Sequence, residues 1–154
     1  MPRINERVFG FLEGEWCVER RFEGSYGGAF TGRANFSPEA GGPSTCRYTE
    51  QGGLTDSEGK TFDARQSYRY RLVEGKLQVL KRDGADWTVM HELEFSGDAG
   101  QASASHVHLC GQDHYAATYR IDFAGEAWEL AYAVSGPEKD YRIRSFYERP
   151  WTRY

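Results

Sequence analysis

Apolar and polar residues alternate with a period of two along most of the chain after Gly14. Successive side chains of a strand point to opposite faces, so this period predicts strands with one buried face. The period is clearest over residues 87–95, where Trp87, His91 and Phe95 are among the odd-numbered residues predicted to share the apolar face. Ten strands are predicted, at residues 15–22, a segment ending at 36, 45–54, 61–73, 76–82, 87–95, 102–110, 112–123, 128–134 and 139–149.

A helical spacing precedes the strands. Ile4, Val8, Phe11 and Leu12 recur at intervals that bring apolar side chains to one face of a helix. Gly14 is a residue type that ends helices. We therefore predict one short helix near the N-terminus, lying across one end of the strand assembly.

The connections between the predicted strands are mostly short. Glu74-Gly75 and Asp83-Gly84, for example, are two-residue hairpin signals. Parallel neighbours would need crossovers of about a dozen residues, so the strands should be antiparallel. Closing the sheet would remove its exposed edges. The pattern predicts an all-β fold, an up-and-down barrel of about ten antiparallel strands with a short N-terminal helix, in a single domain over residues 1–154.

Composition narrows the class of protein. Of the 154 residues, 39% are hydrophobic and 15% aromatic, which excludes a disordered chain. The net charge of -4 disfavours nucleic acid as a partner, because such binding needs a basic field. No apolar run resembles a membrane span or a signal peptide, and Cys17, Cys46 and Cys110 form no disulfide pattern. We expect a cytoplasmic monomer or homodimer with free thiols and no membrane partner.

Strict alternation predicts which side chains enter the barrel lumen, although a single bulge would reverse part of a strand. The lumen would be more polar than a well-packed core needs, and buried polar groups are costly unless they are paired. A binding pocket would explain them; so would an Arg20–Glu50 ion pair and a tyrosine network that only close the barrel. The candidate ligand-binding residues are Trp16, Arg20, Tyr48, Glu50, Gln66, Tyr68, His91, His108, Cys110, Tyr141 and Tyr147.

The strand at 102–110 carries the one group of residues that resembles a metal site. His106, His108 and Cys110 are two residues apart and should share a face, with His114 following a turn. Three ligands so spaced on one strand would be strained around a single ion, so we predict no metal site. Any of these histidines, or His91, could bind a haem iron, but no motif selects one, and we predict no cofactor.

Gly14-Glu15-Trp16, at the junction of the helix and the first strand, resembles the Gly-x-Trp signature of the calycin superfamily, which contains the lipocalins. The resemblance implies that the tryptophan closes one barrel end and stacks against an arginine of the last strand, here Arg144 or Arg149. The chain also resembles, over nearly its whole length, a bacterial lipocalin-like family of unknown function, which implies a fold but no activity. The segments that carry this second resemblance are residues 12–16, 32–36, 48–52, 68–71, 108–115 and 136–141.

Three functions remain open at this point. The leading hypothesis is binding or carriage of a small hydrophobic or aromatic molecule, which can be anionic, in a polar and aromatic lumen. The second is a small-molecule enzyme of the isomerase, cyclase or hydratase type, with Glu50, His91 or a tyrosine as acid or base. The third is a protein-interaction module using the aromatic C-terminal region with Phe146, Trp151 and Tyr154.

Overall fold

Eleven antiparallel strands form one curled sheet in the computed structural model, which describes residues 3–24, 27–40, 42 and 44–153. The elements are α1 (Ile4–Leu12), β1 (Gly14–Gly24), β2 (Gly28–Pro38), β3 (Thr45–Asp56), β4 (Thr61–Val73), β5 (Lys76–Asp83), β6 (Asp86–Leu93), β7 (Ser96–Gly97), β8 (Gln101–Cys110), β9 (Asp113–Asp122), β10 (Ala127–Ser135), β11 (Asp140–Glu148) and a 3-10 turn (Pro150–Arg153). The predicted all-β antiparallel fold with a short N-terminal helix is confirmed. The one strand beyond the ten predicted is β7, which has two residues and is too short to show a period.

The strand order places the two ends of the chain side by side. The order is β6-β5-β4-β3-β2-β1-β11-β10-β9-β8-β7, so consecutive strands are adjacent in the sheet except β6 and β7, which form its two edges, and β1 also pairs with β11. Arg20 of β1 lies opposite Ser145 of β11 in this ladder. The central position of the first and last strands brings their inward side chains to the middle of the lumen.

Closure of the sheet differs from that of a complete barrel. The sheet curls until β6 faces β8, but the described backbone forms no ladder between these two strands. The Glu92 amide of β6 instead donates a hydrogen bond to Nδ1 of His106 on β8, at 3.4 Å. The rings of His91 and His106 lie 5.5 Å apart across the same junction. Side chains therefore connect the two edges.

A β-bulge changes the facing of β6. Val79 of β5 pairs with His91, whereas the next residue, Leu80, pairs with Val89, which leaves Met90 as the extra residue. An extra residue reverses the alternation beyond it. The ring of Trp87 accordingly packs beneath the guanidinium groups of Arg69 (4.3 Å) and Arg47 (5.1 Å) on the outer face. The expectation that Trp87 shares the inner face with His91 is wrong.

Helix α1 covers one end of the curled sheet. Val8 and Leu12 are buried against the core. Asn5 attaches the first turn of the helix to the strands. Its side-chain amide donates to the Gly75 carbonyl (2.7 Å), and its Oδ1 accepts from the Phe95 amide (2.7 Å). In the described part of the chain, no helix is long and apolar enough to cross a bilayer.

Trp16 and Arg149 complete this covered end. Trp16 is fully buried, and its indole N–H donates to the Leu12 carbonyl at 2.9 Å. The Arg149 guanidinium lies 3.7 Å from the centre of the indole and donates to three backbone carbonyls between residues 11 and 15. Arg144, the other candidate partner of Trp16, instead binds Glu129 (2.7 Å).

Candidate functional site

A cavity of about 560 Å³ occupies the lumen of the curled sheet, and its lining residues come from strands and not from α1. Its volume falls within the range of small-molecule sites, roughly 300–1,000 Å³. Tyrosines are the commonest lining residue, and the aliphatic ones include Leu130 and Ile143. The candidate residues that line it are Arg20, Tyr48, Glu50, Gln66, Tyr68, His91, His108, Cys110, Tyr141 and Tyr147.

Trp16 is placed differently from the other candidates. It belongs to the layer between α1 and the cavity, where the indole is enclosed by Arg149 and the end of the helix. A ligand in the cavity would have no exposed Trp16 surface to contact. The contribution of Trp16 is therefore to close one end of the lumen.

A buried ion pair marks the inner end of the cavity. The two terminal nitrogens of Arg20 donate to the two carboxylate oxygens of Glu50, at 2.6 and 2.9 Å. Nε of Arg20 donates to the Ser145 hydroxyl at 2.6 Å. Burial by itself lowers the pKa of Arg20, but the hydrogen bond to Glu50 and the nearby negative charge raise it above its usual range. The guanidinium therefore stays charged beside the carboxylate that it binds.

Two tyrosines extend this pair into a network. The Tyr48 hydroxyl donates to Glu50 and lies 2.9 Å from the Tyr147 hydroxyl, which also accepts from Arg20 at 3.3 Å. Burial raises the pKa of Tyr48 well above its usual value, and nearby Tyr147 and Glu50 add to this effect. Burial also raises the pKa of Tyr147, although Arg20 opposes it. The inner end of the cavity consequently presents neutral hydroxyl groups around a satisfied ion pair.

His91 forms a second polar centre in the cavity wall. Its Nδ1 lies 2.8 Å from the Tyr119 hydroxyl and its Nε2 lies 2.9 Å from the Tyr132 hydroxyl. Burial, with smaller contributions from the neighbouring His106 and His108, lowers the pKa of His91 to about 3. The ring is neutral at physiological pH, so one of its nitrogens donates to a tyrosine and the other accepts from a tyrosine.

Tyr119 and Tyr132 are functional candidates that sequence reasoning did not select. The alternation along β10 predicts which residues face inward but does not distinguish Tyr132 from its apolar neighbours. Tyr119 is 28 residues away from His91 in the sequence, so no local pattern connects the two. Their importance arises from the junction of β6 with the other edge of the sheet, which no local pattern encodes. An aromatic residue on the inner face of each of two adjacent strands was the one available signal.

The cavity lining includes exposed residues of β4 and of the β5–β6 hairpin, where β4 and β5 cease to pair. The β4–β5 ladder ends at the Arg69–Leu80 pair, although both strands continue toward the open end. We define the mouth as Gln66 and Tyr68 of β4 with Lys81 and Thr88 of the β5–β6 hairpin; all four line the cavity. Burial raises the pKa of Tyr68 to about 12, and the Glu50 charge contributes, so its hydroxyl is neutral and donates to Gln66.

The histidines and cysteine of β8 do not converge on one point. His108 and Cys110 line the cavity, whereas the His106 ring lies near His91 at the edge of the sheet. His114 follows the turn and is exposed. Within the described ranges, no group of three or more His, Cys, Asp or Glu side chains is arranged to bind a metal ion.

The chain belongs to a family of unknown function, DUF6314, whose model matches residues 12–149. The family description assigns a sequence relationship and no activity. No curated protein matches the chain in sequence.

Solved structures of the same kind are distant in sequence. The crystal structure of Rv2717c from M. tuberculosis has a TM-score of 0.59 at 13% identity, covering 94% of this chain and 96% of that one. A redesigned β-barrel, mFAP1, solved bound to DFHBI, has a TM-score of 0.47 at 14% identity, covering 93% and 99%. The first likeness supports the barrel-like fold and carries no information about the ligand.

Proposed function

We propose that this chain binds or carries a small, mainly aromatic or apolar molecule in the lumen of a lipocalin-like barrel. The observation that carries the proposal is the cavity of about 560 Å³ that is covered by α1 at one end and open beside β4 at the other. A lumen needed only for stability would be filled by side chains, since protein interiors are close-packed.

The polar groups of the lumen fit a binding role. The hydroxyl oxygens of Tyr68 and Tyr132 lie in the cavity wall and offer polar partners at the edge of an aromatic surface. Ligand sites commonly combine an apolar and aromatic lining with a few such groups, which fix the orientation of the ligand. The Arg20–Glu50 pair serves a different purpose here: because each group satisfies the other, it holds β1 and β3 in place beneath the ligand.

The enzymatic alternative depends on His91 and the tyrosines. A pKa of about 3 is a large displacement for a histidine in a cavity wall, which is a property of many catalytic groups. Both ring nitrogens are nevertheless occupied by Tyr119 and Tyr132, so the imidazole orients hydroxyls and does not itself reach a ligand. Binding is therefore the function that these contacts favour.

The interaction alternative depends on the aromatic C-terminal region. Trp151 is exposed, and its indole N–H donates to Glu126 at 3.2 Å. The Phe146 ring lies beneath the Arg144 guanidinium at 5.0 Å. Tyr154, the third residue of this hypothesis, lies outside the described residues. Intramolecular contacts thus account for the two aromatic residues whose placement is known.

A fluorescent probe tests the proposal directly. N-phenyl-1-naphthylamine is neutral and aromatic, and its emission rises when it leaves water for an apolar site. We expect saturable binding to the wild-type protein with a dissociation constant in the micromolar range, as is common for a small ligand in an apolar cavity. Leu130→Trp, which fills part of the lumen, should abolish this binding.

A substitution on the same strand provides the matched control. Ala133 is on β10 like Leu130, but it is exposed on the outer face. Ala133→Trp should bind the probe like the wild type, and circular dichroism should show that both variants are folded. Absence of saturable binding to the wild type, or equal binding by the folded Leu130→Trp variant, would contradict a ligand site in the lumen.

A further inference from the structure

We infer that the ligand is an aromatic or apolar acid whose anionic group binds the ammonium group of Lys81 at the mouth, while its apolar body occupies the lumen. This inference rests on the proposed function and specifies the chemical class and the orientation of the ligand. It assigns a role in specificity to a residue that lies outside the buried network.

The charges of the lining exclude the inner end as the site of an acid group. Of the lining residues, Arg20, Glu50 and Lys81 carry a formal charge when the histidines are neutral. The two terminal nitrogens of Arg20 already bind both carboxylate oxygens of Glu50. A second carboxylate placed there would be desolvated beside Glu50, at a large electrostatic cost.

Lys81 has the properties that an anion site requires. It is exposed on β5 and lines the cavity, and its side chain forms no ion pair or hydrogen bond with any other described residue. Other lysines near the sheet ends are engaged: Lys76 binds Glu92 (3.4 Å) and Lys139 binds Asp113 (3.1 Å). The ammonium group of Lys81 is thus available at the mouth to bind an anionic group.

The backbone around Lys81 leaves room for the ligand to pass. β5 pairs with β4 only as far as Leu80, so Lys81 has no ladder partner on β4 and pairs with Thr88 of β6 alone. Val79, two residues earlier on the same face, lines the buried part of the cavity. One strand face therefore leads from an apolar wall to a charged mouth, in the order that an amphipathic acid would need.

The orientation follows from solvation. An acid group at the mouth keeps part of its hydration shell while it gains the Lys81 charge, and the aromatic body transfers from water to the tyrosine-rich lumen. The reverse orientation would bury the anion and expose the apolar body. The energy difference between these two placements makes the inferred orientation the stable one.

Two dyes that share one framework distinguish this inference from the proposed function. 8-Anilino-1-naphthalenesulfonate carries a sulfonate, and N-phenyl-1-naphthylamine is the same molecule without it. We expect Lys81→Gln to weaken binding of the sulfonate dye by about five-fold, the effect of one partly exposed ion pair, and to leave binding of the neutral dye unchanged. Lys81→Arg should retain the sulfonate affinity.

A control variant separates a local contact from a change in overall charge. Lys76→Gln removes the same charge from an exposed position of the same strand, away from the cavity, and should leave the affinity of both dyes unchanged. Raising the salt concentration from about 0.02 to about 0.5 M should weaken sulfonate binding to the wild type and have little effect on Lys81→Gln.

Each outcome gives a different answer. If neither dye binds the wild type, the proposed function and this inference both fail. If both dyes bind in the lumen but Lys81→Gln changes neither affinity, or changes both equally, the proposed function stands and the inference is wrong. An equal loss of sulfonate affinity in Lys76→Gln would also overturn it, because the effect would then be one of net charge.

Discussion

The Arg20 guanidinium holds the Glu50 carboxylate through two hydrogen bonds, of 2.6 and 2.9 Å, although β2 separates their strands. Gly32 occupies the position of β2 between the residues that pair with Arg20 and Glu50. A Cβ added there would lie 2.3 Å from the Gln51 carbonyl oxygen and 2.8 Å from the Phe30 ring. The ion pair therefore crosses β2 at a residue that has no side chain.

Removal of one member of this ion pair should be more harmful than removal of both. Glu50→Leu leaves the buried Arg20 charge without its partner, and we expect it to lower the free energy of unfolding by about 3–5 kcal/mol. The double variant Arg20→Met/Glu50→Leu replaces both charges with apolar groups and should be more stable than either single variant. Urea denaturation of the wild type, Arg20→Met, Glu50→Leu and the double variant measures the coupling free energy between the two groups. Additive losses of unfolding free energy would show that the two groups stabilise the fold independently.

The stability of the fold should depend on pH through His91. Its pKa is lowered to about 3 in the folded state, compared with about 6.5 in an unfolded chain. Between these values unfolding takes up a proton, so stability is fully present above about pH 6.5 and is lost as the pH falls toward 3, by up to about 1.4 kcal/mol per pH unit. His91→Gln should flatten this dependence in unfolding measurements between about pH 7 and about pH 5.

A second histidine gives the control for this pH effect. His114 is exposed and its ring is not part of the buried network. His114→Gln removes one imidazole without touching that network, and it therefore controls for the loss of a histidine as such. Equal slopes for the wild type and His91→Gln would mean that the buried imidazole is not the group that titrates.

Two adjacent glycines of β3 should respond differently to alanine. A Cβ added at Gly52 would lie 2.2 Å from the Thr31 carbonyl oxygen, so β2 and β3 would have to separate where Gly32 and Gly52 pair. We expect Gly52→Ala to cost about 1–3 kcal/mol of unfolding free energy, as overpacking does.

Gly53 faces away from this contact. Its added Cβ would meet only the Thr61 methyl group, at 3.4 Å, so Gly53→Ala should be neutral or slightly stabilising through the smaller entropy of the unfolded chain. Thermal unfolding followed by circular dichroism gives both values. Similar losses for the two variants would indicate that strand propensity, and not the close approach of β2, sets the cost.

The three thiols should differ in their reaction with a soluble thiol reagent. Cys110 is exposed and lines the cavity, whereas Cys17 and Cys46 are buried. Burial also raises the pKa of Cys46, so less of the reactive thiolate is present. We expect one fast equivalent of reaction with Ellman's reagent in the folded protein, lost in Cys110→Ser, and slowed by a saturating lumen-bound probe. A rate unchanged by the probe would place its site away from Cys110.

Local patterns in the sequence determined the fold class and the facing of most strands. Alternation placed Arg20, Glu50 and Tyr147 on inner faces, and the helical spacing of the first residues gave the bounds of α1. These features follow from periods of two and 3.6 residues, which each segment carries independently of the rest of the chain. The bulge at Met90 lies beyond such reasoning, because a bulge depends on the register with a partner strand.

The tertiary structure alone decided the site. The placement of Tyr119 and Tyr132 around His91 depends on how far the sheet curls, and the mouth exists because the β4–β5 ladder stops at Leu80. Alternation puts Lys81 on the same face of β5 as Val79, but that it is exposed while lining the cavity becomes visible only in the structure, where β4 and β5 no longer pair. The period of a strand predicts which face each side chain occupies. The cavity depends on where two strands cease to pair, and contacts between segments distant in sequence determine that position.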